Sequence, residues 1–524
     1  MNTSSVILPD LRMRKKFSLH IKKLFLKKYF LLFLIFISHT SFSQTEIHGT
    51  KIEILGADEY EYTDLGAQKL KTLTGNVRLQ QEDVFLFCDK AVLDDEANSL
   101  NADGHVKIEQ DTVTIHSDHL FYDGDKRKAL LTGNVVMSDS KMVLKTSSLD
   151  YDLKTKIGSY KTGGVLTSDS TTLTSQIGYY YAETNDVYFK KEVEVTSPNY
   201  HLSADTLRFN TDSRTAFFLG PTNIQTDSAD VFCEGGFYDT KNDIAQFTTK
   251  AIMINYPNVL SGDSIWFDNK SGKGRAAGSI VWKDTAQHIC ILAGNAQYEK
   301  SAQEIFATNH PLFISEADDD SLFLAADVLH STEDSVSHKR SFSAYHHVKI
   351  YKSDMQGVCD SLFYSEKDSM FRLYQHPVLW LDENQLKADT VRIQMSNREV
   401  KNFYLIKSSF MASEADENLF NQAKGKNITG FFSDGKLSHM LIEGNGESIY
   451  YAADDSGAFI GVNKIACTNM IIYVDSNRVR KIKFISKPDG NMYPINQAPQ
   501  DELRLKDFQW LDAERPKSQW ELRK

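Results

Sequence analysis

The feature that most constrains this chain is a repeat of 29 residues. Steps of 29 from Cys88 meet only small residues: Cys88, Ser117, Thr146, Ser175, Ala204, Cys233 and Gly262. A second landmark with the same step is mostly glycine: Gly75, Gly104, Gly133, Thr162, Lys191, Gly220, Thr249 and Gly278. A fixed period of this length is typical of repeat proteins, in which each unit covers its apolar face by stacking on its neighbours.

Aliphatic side chains recur at fixed distances from both landmarks, two positions before the small residue and four after the glycine landmark. They form a candidate lipid-binding row, which we call the inward ladder: Leu79, Leu86, Ile108, Ile115, Met137, Leu144, Leu166, Leu173, Val195, Leu202, Ile224 and Val231. In the first unit, Val77 and Leu79 are two positions apart, and so are Leu86 and Cys88, so each pair keeps one parity. This is the pattern of side chains on one face of a β-strand.

Parity changes after the small residue, so each strand must bend or bulge there. In the first unit this predicts a bend near Asp89–Lys90, with Cys88 inside the corner and Asp89 turned outward. Turns rich in Asp, Asn and Gly, such as Asp123-Gly124-Asp125, separate the strands. Helical periodicity is absent beyond the N-terminal segment. The pattern predicts an all-β repeat fold with two or three short strands in each 29-residue unit.

The repeat is strict to about Gly278 and looser beyond it, although Cys359-Asp360 and Ala388-Asp389 restore the small-acidic pair. An acidic insert at Glu316–Asp320 lies between the two parts, and four of the ten prolines follow residue 486. We therefore predict a signal peptide at 1–43, a regular repeat domain at 44–315, a degenerate second repeat domain at 316–486 and a Pro-containing tail at 487–524. Whether the two halves form one continuous stack is open at this point.

The N-terminus has the pattern of a cleavable export signal. Eight Lys and Arg residues at 12–28 precede the apolar run Tyr29–Ile37, and Ser41 and Ser43 stand at the −3 and −1 positions of a cut before Gln44. An uncleaved membrane anchor is the alternative, but nine apolar residues fall short of the roughly 20 that a spanning helix needs. The signal predicts a periplasmic protein, with association to the outer membrane as an open alternative.

Charge and cysteine content exclude several classes of function. Removing residues 1–43 takes away 8 of the 59 basic and 1 of the 70 acidic residues, which leaves a net charge of −18. Such a chain is a poor candidate for binding nucleic acid. Five sparse cysteines form no disulfide framework. His116/His119 and His346-His347 lack further ligands at metal spacing, and acidic turns such as Asp318–Asp320 lack the calcium-binding nonapeptide. We therefore predict no metal, no cofactor and no catalytic residues.

A recurrent phrase identifies a family resemblance. Gly75-Asn76-Val77, Gly104-His105-Val106 and Gly133-Asn134-Val135 each begin a unit, and Ser117–Asp123 and Ala204–Asn210 share the pattern small-Asp-x-Leu-x-aromatic-Asp/Asn. This combination resembles the OstA-like family, the LptA-type module of lipopolysaccharide export. The resemblance is good over roughly 50–310 and loose over 320–475.

The resemblance implies a fold and a function. OstA-like modules fold as a V-shaped β-jellyroll, a folded stack of antiparallel strands whose apolar interior holds the acyl chains of lipid A. They stack end to end with other OstA-like modules and dock on the outer-membrane translocon. The chain is therefore expected to be a non-enzymatic, lipid-binding bridge protein in lipopolysaccharide transport, with end-to-end self-association as a further expectation. It is longer than a single bridge module and lacks the translocon's barrel.

Two other interpretations stay open. The inward ladder is core in any β-stack, so each of its residues could serve packing alone. A cell-surface β-solenoid that binds or cleaves polysaccharide is the alternative function. It predicts an aromatic and carboxylate patch on an outer face rather than a dry apolar interior. No unit among the first seven breaks the pattern with the clustered carboxylates that a polysaccharide-cleaving site needs.

Overall fold

The computed structural model describes residues 50–524 except 67, 68, 169, 317–319, 397, 398, 434, 455, 476, 477 and 524. The predicted signal peptide at 1–43 lies outside the described residues. The chain divides into two compact units, Met1–Lys51 and Ile52–Lys524. The fold below is that of the second unit. In the part that is described, no helix has the length and apolar character needed to cross a membrane.

The described residues form 38 strands of one sheet. Those of the first half are β1 (Glu53–Gly56), β2 (Glu59–Asp64), β3 (Lys69–Gln81), β4 (Val84–Asp94), β5 (Ser99–Gln110), β6 (Val113–Asp123), β7 (Lys128–Ser138), β8 (Val143–Asp152), β9 (Ile157–Tyr160), β10 (Gly164–Ser168), β11 (Thr171–Ser175), β12 (Ile177–Tyr181), β13 (Asp186–Ser197), β14 (Tyr200–Asn210), β15 (Thr215–Phe218), β16 (Thr222–Thr226), β17 (Asp230–Cys233), β18 (Gly235–Asp239), β19 (Ile244–Asn255) and β20 (Asn258–Asp268).

Those of the second half are β21 (Lys273–Asp284), β22 (Ile289–Glu299), β23 (Glu304–Thr308), β24 (Leu312–Ser315), β25 (Leu322–Ala325), β26 (Val328–Glu333), β27 (Arg340–Lys352), β28 (Met355–Ser365), β29 (Met370–Tyr374), β30 (Val378–Leu381), β31 (Asn384–Lys387), β32 (Thr390–Ser396), β33 (Glu399–Asp416), β34 (Leu419–Ser433), β35 (Lys436–Ala453), β36 (Phe459–Asp475), β37 (Arg478–Ile485) and β38 (Asp489–Pro494). Short 3-10 turns follow at Ile495–Gln497, Gln500–Glu502, Asp512–Glu514 and Gln519–Glu521.

The strands form an antiparallel meander that is folded along its length. Each long strand bends at a corner, and in several places the corner breaks one long strand into two short ones, as between β9 and β10. The corner divides the sheet into two arms. In β3, for example, Lys69–Thr74 lies in the first arm and Val77–Gln81 in the second. The apolar faces of both arms meet in one core that extends from Leu73 to Ile472. The all-β fold of folded antiparallel strands predicted from the sequence is confirmed.

Where the strand is unbroken, the corner is a β-bulge, which recurs between β3 and β4, β5 and β6, β7 and β8, and β13 and β14. Between β3 and β4, Thr74 pairs with Lys90 and Val77 pairs with Cys88, so Gly75 and Asn76 stand opposite Asp89 alone. The bend predicted near Asp89–Lys90 is therefore present, and it arises from two residues facing one. The two-residue side takes left-handed backbone conformations, with φ of 76° at Gly75 and 46° at Asn76.

Side chains at the single-residue side hold the corner together. The Asp118 carboxylate accepts a hydrogen bond of 2.8 Å from the Asn134 side-chain amide. Gly133, beside Asn134, has φ of 76°, and a Cβ there would lie 2.6 Å from Asp118 Oδ2. Glycine is thus required both by the backbone conformation and by the close carboxylate. The outward acid predicted from the sequence binds the bulge of the following strand.

The corner persists in the second half, where the repeat is loose in sequence. The N–H of Asp327 donates to the carbonyl of His346 at 3.1 Å, and that of Asp389 donates to the carbonyl of Lys407 at 3.1 Å. What changes is strand length: β3 to β8 have 10–13 residues, whereas β33 to β36 have 15–18. The sheet also continues through the predicted boundary at residue 316, because β24 pairs with β25.

The hairpin turns of the first arm share one local structure. The Asp94 carboxylate accepts hydrogen bonds from the backbone N–H groups of Glu96 and Ala97, two and three residues on. Asp152, Asp239 and Asp268 repeat this arrangement in later hairpins. The acidic turns seen in the sequence therefore serve the backbone, as Asp commonly does in turns. Asp318 and Asp319 of the acidic insert lie outside the described residues.

The tail after β38 packs on the outer face of the second arm. Leu503 and Leu505 are buried against Phe410, Tyr451 and Val462 in a cluster separate from the main core. Further along, Leu522 is buried against the outward Leu312 and its neighbours. The tail predicted at 487–524 thus contains all of β38, and the residues after β38 cover apolar surface of the strands before it.

Candidate functional site

The inward ladder is one continuous row of cross-strand neighbours. Leu79 pairs with Leu86, Leu86 with Ile108 and Ile108 with Ile115. The remaining steps of the predicted row are Ile115–Met137, Met137–Leu144, Leu144–Leu166, Leu166–Leu173, Leu173–Val195, Val195–Leu202, Leu202–Ile224 and Ile224–Val231. All twelve predicted residues lie on the inner face, eleven of them buried and Ile224 half-buried. Their contact with lipid stays a prediction.

In this first half the two arms are held together across the mouth of the fold. The side chain of Gln81 donates to the carbonyl of Gly124 at 3.0 Å, and Gln110 donates to Leu153 at 2.9 Å. Each of these contacts joins the second arm to the first. Others of the same kind are Arg127 with Glu82 and Asp83, Lys156 with Asp111, Tyr180 with Asp139, and Lys141 with Asp212. We call this set the clasp.

Burial and hydrogen bonding act in opposite directions on the pKa of Asp83, one of the clasp carboxylates. At Asp83, burial favours the neutral acid, but hydrogen bonds from Gln110 and Arg127 outweigh it and hold the pKa below its ordinary value. Tyr122, which donates to Gln81, has its pKa raised to about 12 by burial. At neutral pH the clasp is therefore an ionised carboxylate facing a guanidinium, beside neutral phenol and amide groups. The interior beneath it is closely packed.

Beyond the clasp the interior opens. The row continues from Val231 to Met253, Leu260 and Trp282, and these three side chains are only partly buried. They line a cavity of about 2430 Å³ that extends along the strands to Arg480 and Ile482. The row runs on through it by Ile291, Phe313, Leu324 and Ile350. The same row is thus closed core at one end and cavity wall at the other.

Aromatic, aliphatic and methionine side chains from both arms form the cavity wall. From the first arm come Phe267, Phe342 and Phe371, and from the second Met355 and Met411. Charged side chains stand at the margins, which include the hairpins at the ends of the arms. An apolar interior with polar margins is the usual character of a site for an amphiphilic ligand.

The tail braces the outer side of the cavity wall. Gln422, 2% exposed, donates to the carbonyl of Leu503 at 3.0 Å and accepts from the N–H of Leu505 at 2.9 Å. Gln385 makes the same pair of bonds with Gln509 and Leu511. These glutamines therefore hold the tail by its backbone, on the strands whose inner faces line the cavity.

Cysteine and histidine, which could also carry chemistry, lie outside the cavity wall in the described part of the chain. The five cysteines are free and buried, and burial raises the pKa of Cys233 to about 11. His346 and His347 are the two left-handed residues of a corner, with Nδ1 atoms 3.3 Å from Asp360 and 2.9 Å from Asp327. Within the described ranges no group of three His, Cys, Asp or Glu side chains could hold a metal ion.

Fold and site together define a class: a folded antiparallel β-stack whose apolar interior opens into a large cavity. Residues 49–205 match the family model described as OstA-like protein. This segment is OstA-like, which confirms the family recognised in the sequence. The OstA-like family suggests a β-fold protein related to the transport of lipid or lipopolysaccharide. No curated protein gives a significant match to the chain.

The matched segment lies within the closed part of the fold, and the cavity begins beyond it, at Met253. The lipid-binding row predicted from the sequence ends at Val231, in the regular half, and stops short of the cavity residues. One signal was available: Met253, Leu260 and Trp282 continue the 29-residue spacing. Met253 and Leu260 are of the same residue types as their buried counterparts, so nothing local distinguished them, and Trp282 is the one large aromatic residue among the three.

Proposed function

We propose that this protein is a periplasmic, lipid-binding bridge protein in lipopolysaccharide transport to the outer membrane, and that it holds acyl chains in the apolar cavity. One observation carries the proposal: the inward ladder passes without interruption from a sealed core into an apolar cavity of about 2430 Å³. Pockets for drug-sized ligands are roughly 300–1,000 Å³, so the cavity has room for a ligand with several long chains.

Physical chemistry gives such a ligand a reason to bind. Each methylene transferred from water to an apolar wall contributes about 0.8 kcal/mol. Ten covered methylenes therefore contribute on the order of 8 kcal/mol, before the cost of ordering the ligand. A wall of Phe, Met and Leu side chains adapts to chains of different length, because methionine is flexible and polarisable.

The two ends of the stack fit a bridge. β1 and β2 form the first strand position of the described sheet and pair with β3, while β37 and β38 form the last and pair with β36. A terminal strand presents N–H and C=O groups that can pair with another sheet. Docking of other OstA-like modules, of the outer-membrane translocon or of a second copy of the chain at these edges belongs to the proposal.

Binding rather than catalysis is part of the same proposal. Every strand pair described above is antiparallel, whereas a β-solenoid stacks parallel strands. A polysaccharide-binding solenoid would also bear its site on an outer face. Depletion of the protein separates the two functions: a bridge is needed for lipopolysaccharide to reach the outer leaflet, and an adhesin or lyase is not.

Photo-crosslinking in cells tests the cavity directly. A photoreactive residue at Trp282 or Phe342, both in the cavity wall, should crosslink to lipopolysaccharide. The matched controls are Lys283 and Tyr345, which lie on the same strands and are exposed on the outer face. Crosslinks to lipid at the two outer positions alone, or to protein alone at all four, would refute the proposal. The same residue at Ile224 tests whether lipid also contacts the closed half.

A further inference from the structure

The row of the inward ladder becomes polar at one point in the cavity wall. Beyond Ile350 its members stay apolar over several strands: Gly357, Leu379, Leu386, Met411 and Ala423. The strand partner of Ala423 is Ser448, on β35. In the row as the structure describes it from Leu79 onward, Ser448 is the first member with a polar side chain.

The hydroxyl of Ser448 has no hydrogen-bond partner among the residues that the structure describes, although Ser448 lines the cavity and is only 2% exposed. A buried hydroxyl is ordinarily hydrogen-bonded, because its burial without a partner costs free energy. Ser409 on β33 shows the usual case, since its hydroxyl donates to the carbonyl of Leu405 at 2.9 Å. At Ser448, an occupant of the cavity can supply the partner that the protein does not.

A row of uncharged polar side chains lies beside Ser448, one step nearer the hairpins of the second arm. We call it the polar row: Asn384, Ser413, Asn421, Tyr450 and Asn463. All of these except Asn463 line the cavity. The side-chain oxygen of Asn421 accepts from the N–H of Tyr451 at 3.0 Å. Within the described ranges, its amide nitrogen and the hydroxyl groups of Ser413 and Tyr450 have no hydrogen-bond partner.

The polar row separates the apolar wall from the charged hairpins. Ser413 and Tyr450 stand three residues before the ends of their strands, at Asp416 and Ala453. Charged side chains of both signs line the cavity at the hairpins, such as Asp454 in the second arm and Lys436 in the first. From the ladder outward, this part of the wall is apolar, then uncharged and hydrogen-bonding, then charged. An acylated lipid has the same order, because its ester or amide groups stand between the chains and the head group.

We propose that Ser448 and the polar row form a subsite for the ester or amide groups of acylated lipids. The proposal rests on the function proposed above and names the part of the cargo that this end of the cavity recognises. Ser448, Tyr450 and the amide nitrogen of Asn421 donate to the carbonyl oxygens, while the chains lie along the ladder. Because these side chains are uncharged, the subsite recognises the linkage irrespective of the charge of the head group. A few placed polar groups in an apolar pocket commonly fix the orientation of a ligand in this way.

Two lipids that differ in one carbonyl group test this. Monomyristoylglycerol is an ester, and tetradecylglycerol is the matching ether with the same head group and a chain of equal length. Each would compete with an uncharged fluorescent alkyl probe for the purified protein without its signal segment. We expect the ester to bind about three- to tenfold tighter than the ether, because one or two net hydrogen bonds between neutral groups change an equilibrium constant by about that factor.

Variants of the subsite identify the donors. Ser448→Ala should remove most of the preference for the ester and leave the affinity for the ether unchanged. Since the hydroxyl has no partner to lose, this variant should unfold at the same temperature as the wild type or higher. Tyr450→Phe should reduce the preference in the same direction. Ser331→Ala is the matched control, because it removes a hydroxyl from the cavity wall of the first arm, and it should change neither affinity.

The outcomes separate the subsite from the cavity function. Equal affinities for ester and ether, or a preference that both Ser448→Ala and Tyr450→Phe leave intact, would overturn the subsite and leave lipid binding in the cavity standing. If neither lipid displaces the probe, the cavity function fails and the subsite fails with it.

Discussion

The corner bulge makes a quantitative prediction at Gly133. Replacing it with alanine forces a Cβ into a left-handed conformation with φ of 76° and to within 2.6 Å of Asp118 Oδ2. The backbone cost is about 1 kcal/mol or somewhat more. Relief of the contact requires Asp118 to rotate, which breaks its hydrogen bond to Asn134 and costs about 1 kcal/mol more. We expect Gly133→Ala to destabilise the corner by about 2–3 kcal/mol.

Gly163→Ala is the matched control. Its φ is 83°, but a Cβ there would meet no atom within 4 Å. The substitution should therefore cost only the backbone penalty of about 1–2 kcal/mol. In a stack each unit contacts only its neighbours, so the loss should be local. Amide hydrogen exchange of β6 and β7 for Gly133, and of β8 and β11 for Gly163, measures it as a local opening free energy.

A third variant isolates the carboxylate. In an Asp118→Ala background the cost of Gly133→Ala should fall towards that of Gly163→Ala, because the colliding oxygens are gone. The difference between the two backgrounds is the coupling energy of the pair. Equal effects of Gly133→Ala and Gly163→Ala, or a cost at Gly133 that is independent of Asp118, would refute the role assigned to the outward acid.

Three further predictions follow from the interior, the tail and the cysteines. Leu144→Ala, in the sealed core, should lower local stability by about 2.5–5 kcal/mol, as measured by hydrogen exchange. Phe342→Ala, in the partly exposed cavity wall, should lower it by less than half of that. Equal losses of stability would contradict the division into closed and open halves. Gln422→Ala removes both hydrogen bonds to the tail backbone, so the local stability of the tail should fall by about 1–3 kcal/mol. Trypsin should therefore cleave after Arg504 and Lys506 sooner than in the control Lys464→Ala, which loses only an exposed ion pair. Unchanged cleavage would show that the apolar contacts alone hold the tail. Because burial raises the pKa of Cys233 to about 11, iodoacetamide at pH 8 should leave the folded chain unlabelled and label it after denaturation, and rapid labelling of the native protein would contradict the burial.

The clasp makes a prediction about acid. The pKa of Asp83 is lowered in the folded protein, so its contribution to stability is present above the pKa of the unfolded chain. It is lost as the pH falls through the folded value, below about 3.8. Exchange of amides at the clasp should therefore accelerate below this pH in the wild type and much less in Asp83→Asn. Identical acid profiles for both proteins would exclude Asp83 as the titrating group.

The strands, their bends and their inner faces could be predicted because each depends on local spacing. Leu86 and Leu93 both point inward but stand at positions of opposite parity, so the strand must bend between them. The small-acidic pair Cys88-Asp89 marks the place of the bend. These signals are contained within one unit of 29 residues. Gly75 and Gly133, which belong to the motif that carries the family resemblance, are local signals too, because glycine tolerates the left-handed backbone of the corner.

The cavity and the brace could not be predicted because both depend on contacts between distant residues. Leu144 and Met253 have equivalent positions on the ladder, and only the distance between the arms decides whether each is sealed. That distance depends on contacts such as Gln81 to Gly124, 43 residues apart. The contact of Gln422 with Leu503 spans 81 residues. A glutamine at either position gives no sign in the sequence of its remote partner.

The independence of the corner from strand length has a consequence for how such a protein can change. Each corner is held by its own short contacts, while the strands lengthen from 10–13 residues in β3 to β8 to 15–18 in β33 to β36. Because side chains alternate between faces, insertions of two residues in both strands of a hairpin lengthen an arm and keep its inner side apolar, whereas an insertion of one reverses it. The width of the interior can therefore change in steps of two residues per strand, one hairpin at a time, while the corner keeps its structure. Evolution or an engineer could tailor one stretch to a bulkier cargo while the neighbouring stretches keep their dimensions.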